Sequence, residues 1–172
     1  MQFKNTIQEM QKLGSNVVKE GRSILKKTKK EGGTLYNDFD YLVTASDSSV
    51  TLEFEFGGAE DYWAFVDEGV KGAGGFKGSG RMRGGNSPFR FGSGKSKGTW
   101  AKFTSAIQIW IKKKGIKGRD KKGKFITNKS LGFLIQRAIY QRGLTRTQFF
   151  SKPFTKELDN QMENITEAFA DD

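Results

Sequence analysis

A glycine-rich stretch in the middle of the chain limits what this sequence can fold into. Eleven of the 22 glycines lie between Gly69 and Gly98, together with seven Lys or Arg residues and no acidic residue. A stretch of this composition buries too little apolar surface to offset the entropy that it loses on ordering. We therefore expect a long flexible excursion at about 69–98, ordered only against a partner, with folded elements before and after it.

The excursion contains a partial match to the phosphate-binding motif G-x-x-x-x-G-K-[ST]. Gly94, Lys95 and Ser96 fit the end of that motif, but Phe89 stands where its first glycine belongs. The preceding residues also lack the buried strand that such a loop follows. We interpret the match as linker composition rather than as a nucleotide site.

The absence of histidine and cysteine narrows the chemistry further. Without them the 172-residue chain cannot form disulfides, thiolate metal sites or a serine–histidine or cysteine–histidine catalytic pair. We predict no catalytic residue, no cofactor and no metal site, and hence no enzyme. No apolar run approaches the roughly 20 residues of a membrane span, so we expect a soluble protein without membrane contact. The length suits a single domain over residues 1–172.

Paired carboxylates are the remaining candidates for catalysis. Glu53 and Glu55 lie two residues apart on one strand face, and further acidic pairs occur at 60–61 and 67–68. Such pairs could bind a divalent metal, as in a nuclease. A solvated acidic sheet face explains them more simply, and we prefer that interpretation.

Hydrophobic periodicity predicts an α+β fold that begins with a long helix and a hairpin. The amphipathic helix covers residues 2–30, and its apolar stripe includes Gly14 and Gly21. Glycine weakens a helix, so these two positions indicate either close packing against another element or a kink. An antiparallel β-hairpin follows, with strands at about 34–44 and 50–56.

Further helices are predicted to pack on this hairpin. A short helix or bent strand is expected at 61–69, and a helix begins near Thr99 and ends at a Lys-Lys-Lys-Gly stop. Asn128 can cap the next helix, which Gly143 closes. A last amphipathic helix begins near Phe154.

The net charge of +11 is distributed in blocks of alternating sign. The net charge is +6 in residues 1–30, −10 in 31–68, +20 in 69–152 and −5 in 153–172. Opposite blocks can neutralise each other within one fold, or they can supply two complementary faces through which copies of the chain meet. The sequence leaves both interpretations open.

The densest basic tract forms a loop at about 112–124. Its members are Lys112, Lys113, Lys114, Lys117, Arg119, Lys121, Lys122 and Lys124. Neutralising several phosphates would give a salt-dependent affinity for nucleic acid, and no motif for base recognition is visible. A solvated loop, or one that docks on an acidic protein surface, is the alternative.

Short motifs on both sides of the loops resemble a known family. The residues that carry the resemblance are Gly33, Thr34, Leu35, the strand Val50–Phe56, Tyr62, Ala64, Val66, Glu68, Gly69, Phe149, Phe150, Pro153 and Phe154. In this order they resemble the neck and tail-completion proteins of tailed bacteriophages, also labelled minor tail or head–tail joining proteins. Trp63 and Val70 depart from the family pattern, which leaves both head completion and tail termination open as roles.

The resemblance implies a structural virion protein, made in the host cytoplasm, that forms a homo-oligomeric ring between capsid portal and tail. Its partners would be further copies, portal or adaptor proteins and tail proteins, with packaged DNA touching the basic tract non-specifically. A basic protein that contacts the nucleic-acid phosphate backbone non-specifically is the alternative function.

A ring interface is head to tail, so each subunit must present two different faces. The candidates for subunit contact are Glu53, Glu55, Tyr62, Asp67, Glu68, Phe149, Phe150, Pro153 and Phe154. The aromatic residues around Tyr62 can equally fill a core beneath the sheet.

Overall fold

The computed structural model describes residues 3–75, 81–94 and 99–172. In chain order its helices and strands are α1 (Lys4–Lys27), α2 (Thr34–Asp38), β1 (Asp40–Ala45), β2 (Val50–Glu55), α3 (Trp63–Glu68), β3 (Val70–Lys71), α4 (Trp100–Lys114), α5 (Asn128–Arg142), β4 (Gly143–Leu144) and α6 (Ser151–Asp171). Helices occur with antiparallel strand pairs, so the predicted α+β class is confirmed.

The chain divides into two compact units. Unit 1 comprises Met1–Glu68 and Thr147–Asp172, and unit 2 comprises Gly69–Arg146. The single domain over residues 1–172 stays a prediction beside this division. No helix in the described part of the chain is long and apolar enough to cross a membrane.

In unit 1, the two glycines of α1 mark close packing. A Cβ atom at Gly14 would overlap the ring of Tyr41 on β1. A Cβ atom at Gly21 would lie 2.7 Å from Cε1 of Phe39 and 2.7 Å from the carbonyl oxygen of Phe149. Since real Cβ atoms do not approach other atoms so closely, the helix can press against these rings only where it lacks side chains.

The predicted hairpin is confirmed, but its first strand begins later than expected. β1 and β2 pair antiparallel, with Tyr41 opposite Phe54. The strand starts at Asp40 rather than Thr34 because Thr34–Asp38 forms the short helix α2. That helix buries Leu35, an apolar residue that fits a strand or a helix pattern equally well.

Aromatic rings fill the core of unit 1. Phe39, which is fully buried, stacks on Phe56 with ring centroids 5.3 Å apart and meets Phe149 edge-on at 5.4 Å. Phe54 meets Phe150 edge-on at 5.1 Å. These offset and edge-on geometries are the favourable ones for aromatic pairs.

Helix α6 packs along α1, and both helices contribute polar contacts. It starts at Ser151, earlier than the predicted Phe154. Asn16 on α1 donates a 2.9 Å hydrogen bond to the Glu157 carboxylate. Beyond the last turn of α6, the Asp172 side chain accepts hydrogen bonds from the backbone N–H groups of Asn5 and Thr6 at 3.0 and 2.8 Å.

In unit 2, helices α4 and α5 pack together around a buried amide. Gln136 accepts a 2.8 Å hydrogen bond from the Thr104 hydroxyl and donates one of 3.2 Å to the carbonyl oxygen of Trp100. Among the described residues of this unit, the buried apolar side chains are Val70 and Ile111. Unit 2 therefore has a much smaller apolar core than unit 1.

The helix boundaries of unit 2 follow their capping residues. Gly115 ends α4 in the left-handed conformation (φ 62°), as the Lys-Lys-Lys-Gly stop predicts. The predicted cap of α5 was wrong by one residue. Thr127, not Asn128, caps that helix through a 3.2 Å hydrogen bond from the N–H of Ser130.

The described part of the glycine-rich segment carries regular hydrogen bonds. β3 pairs antiparallel with β4, and Lys71 also exchanges backbone hydrogen bonds of 2.9 Å with Phe89 and Phe91. Ser87 is buried and donates a 2.7 Å hydrogen bond to the carbonyl oxygen of Gly69. These contacts give 69–75 and 81–94 defined partners within unit 2.

The rest of that segment lies outside the described residues. This applies to 76–80 and to 95–98, which include Lys95 and Ser96 of the partial phosphate-binding motif. The flexibility of the excursion at 69–98 stays a prediction.

Candidate functional site

The two units have net charges of opposite sign. Unit 2 contains 20 Lys or Arg residues and one acidic residue, a net charge of +19, whereas unit 1 has a net charge of −8. Unit 1 therefore has an excess of negative charge and unit 2 an excess of positive charge. The sequence alone does not show this division, because unit 1 is built from two separate segments.

The acidic face of unit 1 lies on the outer side of the hairpin. Glu53 and Glu55 on β2 are exposed, and Glu55 stands opposite Asp40 of β1 in the strand register. Leu42, opposite Glu53, is 45% exposed on the same side. Neither glutamate forms an ion pair with another described residue.

The arrangement of these carboxylates relative to other acidic side chains decides whether they could hold a metal ion. Among the described residues, no group of three or more acidic side chains is arranged to hold a metal ion. The acidic face is therefore a solvated surface available for a cationic partner.

The other contact candidates of unit 1 differ in how accessible they are. Tyr62 is exposed, and Glu68 lies half-buried at an open polar groove that includes Gln148 and Lys152. Phe150 and Phe154 are half-buried, with ring centroids 5.5 Å apart. These side chains keep part of their surface free for a partner.

Three further candidates, Asp67, Phe149 and Pro153, are buried within unit 1 itself. Phe149 belongs to the aromatic core, and Pro153 occupies the first turn of α6, where its missing N–H is tolerated. The accessible set of candidates therefore no longer includes these three.

Asp67 has a structural task that its sequence position does not indicate. Its carboxylate accepts hydrogen bonds from the backbone N–H groups of Phe150 and Ser151 at 2.8 and 3.3 Å. These groups open α6, where N–H donors lack partners within the helix and a negative charge is favourable. Because the two segments are separated by more than 80 positions, only the fold could bring them together.

All eight residues of the basic tract are exposed in unit 2. Lys112, Lys113 and Lys114 close the last turn of α4, where positive charge favours the helix dipole. Lys117, Arg119, Lys121, Lys122 and Lys124 belong to the connection between α4 and α5. None of the eight forms an ion pair with a described residue.

The connection between α4 and α5 is a tight hairpin, which we call the basic hairpin (residues 117–126). Asp120 donates its N–H to the carbonyl oxygen of Lys124 at 2.8 Å, and Gly123 donates to that of Asp120 at 3.0 Å. Gly123 has φ 80°, as expected of the glycine that closes a three-residue hairpin loop. Ile126 completes the ladder with a 3.0 Å bond to Gly118.

Asp120, the only acidic residue of unit 2, fixes the turn. Its Oδ1 atom accepts hydrogen bonds from the N–H groups of Lys122 and Lys124, both at 2.9 Å. Asp at the first turn position and Gly at the fourth are a known turn signature, so the Asp-Lys-Lys-Gly sequence could have predicted this hairpin.

One face of an exposed aromatic ring is covered at the base of this turn. The guanidinium carbon of Arg119 lies 3.9 Å from the ring centroid of Phe125, directly across the antiparallel bridge. Arg119 is held there by a 2.8 Å hydrogen bond to the carbonyl oxygen of Gly123. Phe125 is nevertheless 56% exposed.

Comparison with known proteins adds no identification. No protein-family model, curated protein or solved structure matches this chain.

Proposed function

We propose that this chain is a structural subunit of a tailed-phage virion, a neck or tail-completion protein that assembles as a homo-oligomeric ring between portal and tail. The carrying observation is the charge difference between the two units, −8 and +19. A head-to-tail ring needs two unlike faces on each subunit, and two oppositely charged units supply them.

The small core of unit 2 supports a role in assembly. Several large apolar side chains on α4 and α5 are exposed in the single chain. They are Trp100, Ile109, Trp110, Phe133 and Leu134. Apolar surface of this kind, in a unit that buries little of it internally, favours contact with another protein.

In this proposal the outer face of the hairpin, with Glu53 and Glu55, meets basic residues of the adjoining subunit or ring. Tyr62 and Glu68 add accessible contacts on unit 1. The salt dependence follows directly, because contacts between exposed charges weaken as ionic strength rises.

Counting the chain in particles tests the assignment. Quantitative mass spectrometry of purified virus particles should give a fixed stoichiometry against the portal subunit, at a small multiple set by the symmetry of the tail axis, about six or twelve copies. Absence of the chain from particles would contradict the proposal.

A pair of charge variants tests the interface. Glu53→Gln with Glu55→Gln should weaken assembly on the connector, whereas Glu163→Gln with Glu167→Gln, on the exposed side of α6, should not. Both variants change the net charge equally, so sedimentation of reconstituted complexes at low and high salt separates a local contact from a general charge effect. Equal assembly of both variants would contradict the acidic contact.

Non-specific binding to the nucleic-acid backbone is the second candidate function. It is favoured by the eight exposed basic side chains of the tract, which lack ion-pair partners among the described residues. Titration of a DNA duplex should show affinity that falls steeply with salt, by a slope of about −0.9 per neutralised phosphate. Affinity independent of salt would exclude it.

We propose that the chain has no catalytic activity of its own. Incubating it at high concentration with plasmid and Mg²⁺ or Mn²⁺ should leave the DNA intact. Cleavage that is lost on chelation would contradict this and identify a nuclease.

A further inference from the structure

We infer that the basic hairpin binds single-stranded nucleic acid, with an unpaired base stacked on the exposed ring of Phe125. The inference rests on the backbone contact proposed above for the same tract and adds the form of nucleic acid that it takes.

The Phe125 ring is accessible at the surface of the basic hairpin. Phe125 is 56% exposed, although large aromatic side chains on a small hairpin usually pack against the body of the protein. Arg119 lies over the ring at 3.9 Å from its centroid and the Lys117 ammonium group at 6.0 Å, and beside these two contacts more than half of the residue stays exposed. A flat apolar face of this kind accepts a nucleobase by stacking, whatever the base.

Hydrogen bonds within the basic hairpin hold the turn and Arg119 in place. The Gly123 carbonyl holds the guanidinium of Arg119, and the Asp120 carboxylate holds the turn through two N–H groups. The ring is therefore positioned before any ligand arrives, so little conformational entropy is lost on binding.

Positively charged side chains lie around the Phe125 ring. Lys121, Lys122 and Lys124 surround the turn, and the ammonium group of Lys117 lies 6.0 Å from the Phe125 ring centroid. A backbone that runs past the hairpin would place phosphates near these lysines while a base reaches the ring. Positive charge that follows a backbone, combined with an aromatic platform, is the usual design of single-strand binding sites.

The stacking distinguishes single strands from duplex. Bases in a duplex are already stacked on their neighbours, so the ring face can contribute only to an unpaired base. An acidic protein surface would form ionic contacts with the lysines and would not require stacking on the Phe125 ring.

The test is fluorescence anisotropy with a labelled oligothymidylate of roughly 12 nucleotides, within the usual site size, and with a duplex of equal length. Replacing Phe125 by Leu should weaken single-strand binding about 5- to 100-fold and leave duplex binding nearly unchanged. Phe125→Trp should keep the single-strand affinity. Phe169→Leu, which alters an aromatic residue of similar exposure on α6, is the matched control and should change neither.

The charge is tested separately. Replacing Lys121, Lys122 and Lys124 together by Gln should reduce the steepness of the single-strand salt dependence by up to about 2, from about 0.7 per lost phosphate contact. The Phe125→Leu variant should keep the steepness of the unaltered chain.

The outcomes separate the two proposals. Salt-dependent binding that is indifferent to Phe125→Leu, or equally strong for duplex, would overturn the stacking inference and leave the backbone contact standing. No binding of either nucleic acid would overturn both and favour an acidic protein partner for the hairpin.

Discussion

Single residues set how closely the elements of unit 1 approach each other, and Gly21 is the clearest case. Replacing Gly21 by Ala should destabilise the protein by about 1–3 kcal/mol, because the added methyl group meets the Phe39 ring and the Phe149 carbonyl. Ser15→Ala, at an exposed position of the same helix, should be neutral or slightly stabilising. Urea unfolding followed by circular dichroism measures both. A Gly21→Ala variant as stable as the Ser15→Ala control would show that the helix can move away at little cost.

The sequence indicated that α1 would pack closely, but it could not identify the partner. Gly14 and Gly21 follow the helical period, which is a local pattern. The space above them is filled by the rings of Phe39 and Tyr41 and by the carbonyl oxygen of Phe149, which the fold brings from distant positions. The same limit explains why Phe149 and Pro153 were expected at a subunit contact, since a Pro-Phe-rich segment looks alike in a core and in an interface.

At the level of elements, α6 begins where a distant carboxylate supplies its first hydrogen-bond acceptor. Replacing Asp67 by Ala should cost about 0.5–2 kcal/mol, as loss of a helix cap does. Asp67→Asn keeps an acceptor oxygen and should cost less, and Glu68→Gln serves as a neighbouring control. Free energies of unfolding, with amide exchange at Phe150 and Ser151, measure the effect. Unchanged exchange at these two amides would contradict the capping role.

Helix α1 begins at a second carboxylate, and this contact depends on pH. Desolvation acts to raise the pKa of the Asp172 carboxyl, but hydrogen bonds from the N–H groups of Thr6 and Asn5 and from the Thr6 hydroxyl outweigh it, so the pKa lies below its ordinary value of 3.8. A lowered pKa stabilises the fold above the ordinary value, and that contribution disappears as the pH falls through the folded-state value.

The matched variant is Asp172→Asn, which removes the charge and keeps the size. The free energy of unfolding of this variant should be lower than that of the unaltered chain by a constant amount near neutral pH. The difference should shrink once the pH falls below about 3.8. Comparing the two proteins at each pH cancels the titration of the other carboxylates. A deficit that does not change with pH would contradict the charge effect.

The start of β1 was predicted too early because a short segment can fit two periodicities. The strand expected from Thr34 became α2 because Leu35 satisfies both periodicities within so short a segment. The turn residues Asp120 to Gly123 were sufficient to predict a hairpin from the sequence. A binding role for the side chain of Phe125 could be inferred only from the structure, which places Arg119 against its ring.

At the level of the whole molecule, unit 1 should fold without unit 2. In unit 1 the chain leaves after Glu68 and returns at Thr147, and the hydroxyl and N–H of Thr147 both bond the carbonyl oxygen of Val66, at 2.8 and 3.1 Å. Joining Glu68 to Thr147 by a short Gly-Ser linker should therefore give a protein that unfolds cooperatively.

Unit 2 alone is the matched comparison. Among the described apolar side chains of residues 69–146, only Val70 and Ile111 are buried, so the isolated unit should unfold at lower urea concentration and less cooperatively. Circular dichroism and calorimetry of both pieces decide the matter. A linked unit 1 without a cooperative transition would support the single domain that the length suggests.

The paired strands β3 and β4 have a consequence for how this chain can change over generations. Val70 stands opposite Leu144, so the two ends of the insert are already held together by its own backbone hydrogen bonds. Closing a loop costs free energy that grows only with the logarithm of its length, and the paired strands fix the distance between the two ends whatever lies between them. The insert can therefore lengthen or shorten at a small cost to the stability of unit 1.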